Sequence, residues 1–290
     1  MKIGVSSYSY SRLVHNGTMK QIEVIKAAKE AGFDVIEFST IAVPEGRKLP
    51  DFAAELKAEA DAVGIPIAKY TIGADFVHGS NGDLDAEVER LKGEVDVAAI
   101  LGAPGMRHDI TYSIKPGESG LHTFEAALPR IAKGVRAVTE YAATKGIRTM
   151  TENHGYISQD SVRIEKLLTA VAHPNFGVLL DLGNFYCVDE DSAQAVGRLA
   201  PYAFHAHAKD FHIKSGNGVN PGEGWFMSRG GNYLRGAIIG HGDVPLLQAI
   251  RALKRSGYDG VLSVEFEGME DPLVGVRIGQ ANLRRLVELA

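Results

Sequence analysis

Residues 147–184 read IRTMTENHGYISQDSVRIEKLLTAVAHPNFGVLLDLGN. A β-rich run, "IRTMTENH", is followed by a turn, by a helical pattern over Ser161–Ala172, and by a second β-rich run, "FGVLLDLGN". Strand, helix and strand in that order imply parallel strands joined by a helical crossover. Whether this unit stands alone or repeats decides the architecture.

It repeats in both directions. Upstream, "KIGVSS" leads to a helix around Met19–Ala31, "FDVIEFS" to Asp51–Val63, "IPIAKYTI" to Leu84–Leu101 and "APGMRHD" to Leu121–Lys145. Downstream, "FGVLLDLGN" leads to Ser192–Leu199, "AFHAHAKDF", after a long loop, to Val244–Ser256, and "GVLSVEFEG" to Pro272–Glu288. Apolar residues recur at helical spacing, as in Leu84, Val88, Leu91, Val95 and Ala98, and in Phe124, Leu128, Ile131, Val135 and Val138. Gly32, Gly64, Gly102, Gly146 and Gly257 each sit just past such a stripe, where a left-handed residue ends a helix. Eight βα units in 290 residues predict an α/β fold, a single closed (β/α)8 TIM barrel over residues 1–290. A doubly wound open sheet is the alternative, weakened because no G-x-G-x-x-G follows the first strand.

Composition is ordinary for a globular protein, at 45% hydrophobic and 23% charged, with no Pro/Ser-rich linker or low-complexity block. A net charge of −5 gives no electrostatic reason to expect nucleic acid or an anionic membrane as partner. The single cysteine, Cys187, cannot form an internal disulfide. "MKIGVSSYSYSRLVHNG" turns polar too early for a signal peptide, and no apolar run approaches membrane-spanning length. The expectation is a cytoplasmic protein.

In a (β/α)8 barrel the functional site lies at the carboxyl ends of the strands. Strand five ends with Glu152, and His154 falls on the same side by two-residue alternation. Strand six ends with Asp181. In strand seven His205, His207 and Lys209 share one face, with Ala206 and Ala208 on the other. In strand eight Glu265 and Glu267 oppose Leu262, Val264 and Phe266. Taken singly, each has a bland reading: Asp181 as a cap, His205 as a hydrogen-bonded core histidine, Lys209 and Asp210 as an ion pair, Glu267 as a rim charge. Taken together, three carboxylates in a dry mouth would repel one another and take up protons, and a divalent cation removes the conflict. Oxygen-rich ligation with one imidazole, for which the barrel favours His207, suits Mn²⁺, with Mg²⁺, Co²⁺ or Zn²⁺ as alternatives. No organic cofactor is expected.

These residues carry a resemblance. "KIGVSSYSY", "GFDVIEFS", "LGAPGMRHD", "ENHG", "LLDLGN", "HAKD", "GHGDVP" and "SVEFE" resemble the sugar phosphate isomerase/epimerase superfamily, the xylose-isomerase-like TIM barrels that also include endonuclease IV. The likeness covers nearly the whole chain. It implies one divalent metal held by Glu152, Asp181, His207 and Glu265, the same four residues as the barrel argument. It implies Glu152 and Glu265 as an acid/base pair in a ketose 3-epimerase or isomerase working through an enediolate. A lyase cleaving a 3-oxo-glycoside or C-glycoside by β-elimination is the alternative; a non-catalytic sugar-binding barrel and a DNA-repair endonuclease rank below it. Asn184 stands where the multi-zinc endonucleases tend to carry histidine.

The segment at about 209–243 is long for a βα connection. It carries His212, Lys214, Trp225, Arg229, Arg235 and His241, and reads as a substrate lid or as an oligomer contact. "RGGNYLRG" and "GHGDVP" could supply an anion site or merely shape the loop. His154, His205, Lys209, His212, Trp225, Arg229, His241 and Glu267 are candidates to bind a sugar substrate. Arg107, which reads equally as an ion-pair partner, joins them at the pocket floor with His108 and Tyr8. A homodimer or homotetramer fits a lid completed by a neighbouring subunit.

Overall fold

The computed structural model describes residues 1–114 and 123–290. Strands β1 (Lys2–Ser6), β2 (Val35–Ser39), β3 (Ile67–Ile72), β4 (Gly105–His108), β5 (Arg148–Glu152), β6 (Phe176–Asp181), β7 (Ala203–Ala208) and β11 (Val261–Val264) close into a parallel barrel. The closing pair is β1 with β11, in register Lys2↔Val261 to Val5↔Val264. The eightfold strand–helix repeat therefore closes on itself as the sequence predicts.

Helices α2 (Glu23–Glu30), α3 (Leu49–Val63), α4 (Leu84–Ile100), α5 (Phe124–Thr144), α6 (Ser161–Val171), α7 (Ser192–Leu199), α8 (Leu246–Arg255) and α9 (Pro272–Leu289) ring the barrel. The stripes bury as expected: Val88, Leu91, Val95 and Ala98 of α4, and Phe124, Ile131, Val135 and Val138 of α5. Side-chain caps set the helix starts. The carboxylate of Asp83 accepts from the N–H of Ala86, that of Asp160 from Arg163 and that of Asp191 from Gln194. Some boundaries shift. The first helix starts at Glu23 rather than near Met19, where the Glu23 carboxylate accepts from the Lys20 N–H. The predicted helix start at Leu121 lies outside the described residues; a Thr123 cap precedes α5. A short helix, α1 (Ser11–His15), follows β1 and was not anticipated.

The largest departure is the segment after β7. It is no plain glycine-rich loop but a three-stranded antiparallel sheet of β8 (Asp210–Lys214), β9 (Phe226–Met227) and β10 (Tyr233–Ala237), in the order β8-β10-β9. Asp210, which reads from sequence as an ion-pair partner of Lys209, instead closes the base of this segment. Its carboxylate accepts from the backbone N–H groups of Phe211 (2.9 Å), Gly240 (2.8 Å), Gly242 (2.9 Å) and Val244 (3.2 Å). A buried carboxylate satisfied by backbone donors replaces a loop closure that apolar packing would otherwise have to supply. Asp210→Ala strands those donors and is expected to lower unfolding free energy by about 3 kcal/mol. Denaturant titration checks this, and an unchanged midpoint would contradict it.

Candidate metal centre

Four successive strands deliver the candidate ligands. Glu152 ends β5 and Asp181 ends β6, where it pairs in register with His207 of β7. Glu265 lies one residue beyond β11 rather than within it, held by its N–H to the Ala208 carbonyl at 3.0 Å. One atom from each of Glu152, Asp181, His207 and Glu265 lies within 4.8 Å of the others, and all four residues are buried. From His207 Nδ1 it is 3.8 Å to Glu152 Oε1, 3.9 Å to Asp181 Oδ2 and 3.6 Å to Glu265 Oε2.

The donor set fits a divalent cation. Among the described residues His207 Nδ1 and Asp181 Oδ2 are buried without a hydrogen-bond partner. Buried polar atoms are seldom left so. Oxygen atoms with one imidazole nitrogen form a ligand set for Mn²⁺, Mg²⁺, Co²⁺ or Zn²⁺.

Each ligand is held from behind. Asp181 Oδ1 accepts from the N–H groups of Gly183 (2.7 Å) and Asn184 (2.8 Å), which turns Oδ2 toward the cluster. Glu152 Oε2 meets Arg107 Nη2 at 2.8 Å, and Oε1 accepts from Asn184 Nδ2 at 3.0 Å. Glu265 Oε2 meets Lys209 Nζ at 2.8 Å. The same ammonium donates to Asn184 Oδ1 at 3.2 Å and lies 3.4 Å from Glu267 and 3.7 Å from Asp181. Gly183 permits the approach, because a Cβ there would stand 2.5 Å from the Lys209 carbonyl oxygen. His207 Nε2 is bonded to Glu37 of β2, whose other oxygen is bonded to His205 Nε2.

The electrostatics follow from this crowding. Burial pushes Asp181 up to about 7, with Glu152 and Glu265 adding to the rise against Lys209 and His207. Burial would raise Glu152 and Glu265 too, but Arg107 holds the first below its ordinary value and Lys209, with His207, holds the second well below. Burial disfavours the charged forms of His207 and Lys209, yet the facing carboxylates, Glu37 foremost for His207 and Glu265 for Lys209, raise both well above their ordinary values. Arg107 also pairs with Asp109 at 2.8 Å, and Asp109 accepts from His154 Nδ1 at 2.9 Å. Burial opposes the charge on His154, but that bond raises its pKa overall.

The cluster opens into a cleft of about 450 Å³. Its wall includes Tyr8, Arg107, Glu152, His154, Lys209, Glu265 and Glu267 from the sequence reading. It does not include His205, which lies fully buried below, bonded to Glu37 and 3.2 Å from Ser263 Oγ. Burial takes the His205 pKa down to about 4. Nor are His212, Trp225, Arg229 or His241 on the wall. His212 pairs with Arg235 across β8 and β10. Trp225 packs between the cations of Lys214 and Arg235, 5.8 and 5.6 Å from its ring centre. Arg229 lies 3.4 Å from Asp160, and His241 is exposed in the turn after β10. His108 is a core residue, packed edge-on to Phe76 and stacked on Phe176.

Three contributors escaped the sequence reading. Glu37, Asn184 and Asp109 act through other side chains, and no periodic pattern marks such residues. Glu37 alone left a signal, as a carboxylate inside the apolar strand "VIEFS".

The profile of the xylose isomerase-like TIM barrel family matches residues 25–286, and the chain belongs to that family. No curated protein is a match. Among solved structures, an L-ribulose 3-epimerase superposes with a TM-score of 0.72 at 16% identity, over 99% of this chain and 95% of its own. A D-allulose 3-epimerase from Methylomonas sp. gives 0.71 at 17%, over 99% and 98%. The 3-keto-D-glucoside 4-epimerase from E. coli gives 0.69 at 16%, over 98% and 99%. At such identities the likeness establishes the fold alone.

A pH dependence follows. With Asp181 raised to about 7, the free protein holds a proton below that pH which a cation must displace. His207, raised well above its ordinary value, holds another, so cation affinity rises with pH through 7 and beyond, by as much as tenfold per unit for each proton released. Calorimetric titration at stepped pH checks this; affinity independent of pH between about 5 and 7 would contradict it.

Proposed function

We propose that this protein is a divalent-metal-dependent sugar isomerase or epimerase that acts on a ketose or related keto-sugar through an enediolate. The observation that carries this reading is the pair Glu152 and Glu265. Both lie on the cleft wall and each brings an oxygen to the same cluster. Family membership and the epimerase neighbours support the substrate class. Glu152, Asp181, His207 and Glu265 would hold the cation. When bound, it supplies Lewis acidity to the carbonyl and to the negative charge that grows as the neighbouring C–H bond breaks.

The remaining chemistry belongs to the side chains. Glu152 takes a proton from one face of the reacting carbon; Glu265 returns to the other face a proton drawn from the Lys209 ammonium 2.8 Å away, and exchange with solvent then resets both groups. Arg107 keeps Glu152 ionised and therefore able to accept. Lys209, anchored between Glu265, Glu267 and Asn184, places an ammonium beside the reacting oxygens. His154 is fixed through Nδ1 by Asp109, which leaves Nε2 to orient a substrate hydroxyl. Tyr8 and Glu267 would complete the sugar-binding wall.

Proton–deuterium exchange in D₂O with a panel of ketoses, ketose phosphates and 3-oxo-glycosides tests the reading. Deuterium should enter at a carbon beside the carbonyl with mass otherwise unchanged. Glu152→Gln and Glu265→Gln should each slow it by about 10²–10⁴-fold. Exchange with release of a leaving group would move the assignment to a lyase, and no exchange by metal-loaded protein would overturn it. Lys209→Met should lower turnover by about 10²-fold while metal content stays intact. Metal loss in that variant would show that the lysine supports ligation instead.

A further inference from the structure

Inward positions of such a barrel are normally filled by bulky branched side chains. Glu37, in the middle of β2, is fully buried among them. Its carboxylate crosses the barrel to strand β7. Oε1 is bonded to His207 Nε2; Oε2 is bonded to His205 Nε2 and accepts from Ser263 Oγ at 3.2 Å. The three donors surround the carboxylate; Glu37 is not on the cleft wall, and with His205 and His207 it forms a second buried group of ligating side chains that meets the first at His207. A lone buried carboxylate would be costly here, and two imidazole N–H groups and a hydroxyl satisfy it.

The consequence lies on the far side of the His207 ring. Hydrogen bonding to Glu37 commits Nε2 as a donor and fixes the ring plane. Nδ1 is then the nitrogen facing Glu152, Asp181 and Glu265, and among the described residues it has no hydrogen-bond partner. An imidazole free to rotate or to change tautomer would present either nitrogen, or a proton, to a cation. From this geometry we propose that Glu37 is a positioning residue. It locks the ring and the protonated nitrogen of His207, and so sets the affinity of the site for its divalent cation. This rests on the metal-centre reading above. It is a separate claim, since the four ligands could bind a cation with no help from β2.

Glutamine at position 37 has one acceptor and one donor group where two imidazole donors converge. Glu37→Gln therefore leaves one ring with the wrong partner. Removing a group that orients a metal-bound histidine typically weakens affinity by about 10–100-fold, and that is the loss expected here for Mn²⁺ in calorimetric titration. Ser263→Ala removes a donor to the same carboxylate without touching His207, and should keep wild-type affinity. Equal losses in the two variants, or none in Glu37→Gln, would overturn the proposal.

A measurement on the wild type guards against a variant that fails to fold. In Co²⁺-loaded protein the metal-shifted proton spectrum should contain one histidine N–H from Nε2 that exchanges slowly with solvent, because Glu37 buries and holds it. A rapidly exchanging N–H, or one assigned to Nδ1, would overturn the proposal. Wild-type protein that binds no divalent cation would instead remove the metal-centre reading on which the proposal rests.

Discussion

Three buried carboxylates, Glu152, Asp181 and Glu265, converge on His207 Nδ1, a nitrogen with no hydrogen-bond partner among the described residues. Like charges so close cannot all be ionised in a dry site without a compensating positive charge. Much of the surrounding architecture answers that constraint. Arg107 and Lys209 each grip one glutamate, and backbone N–H groups grip Asp181 Oδ1. Among the described residues those supports still leave Asp181 Oδ2 without a hydrogen-bond partner. The position that remains at the centre suits a cation.

The supports come from many strands. Glu37 reaches across from β2, Arg107 comes from β4, and Asn184 follows β6 to bridge Glu152 and Lys209. Parallel strands bring residues distant in sequence to one end of the barrel, and the hydrogen-bonded register of the wall fixes their heights. The pairing of Asp181 with His207 and of Ser263 with His207 is backbone register, set before any side chain is chosen. The site is thus built on rigid elements, with the chemistry at their tips.

The barrel and the clustering of Glu152, Asp181, His207 and Glu265 could be read from the sequence, because both rest on local regularities. Eight strand–helix alternations fix a closed sheet, and strand ends then fix where Glu152, Asp181 and His207 must stand. Two-residue alternation also placed Lys209 and Glu267 on the cleft correctly. The same rule failed for His205, since sharing a face with His207 says nothing of depth; one step down the strand puts it in the barrel interior. Glycine-rich sequence concealed the sheet of β8 to β10, and Trp225, Arg229 and His241, in the turns around it, are not on the cleft wall. The roles of Glu37, Asn184 and Asp109 were hidden for a related reason: they depend on contacts across the fold, which no local pattern encodes.

The most direct test of the account is an anomalous difference map from crystals of the protein soaked in Mn²⁺. The account predicts a single internal peak with Glu152, Asp181, Glu265 and Nδ1 of His207 within about 2.2 Å, at distances typical of such ligands. A peak among Glu37, His205 and His207, or no internal peak at saturating Mn²⁺, would contradict it.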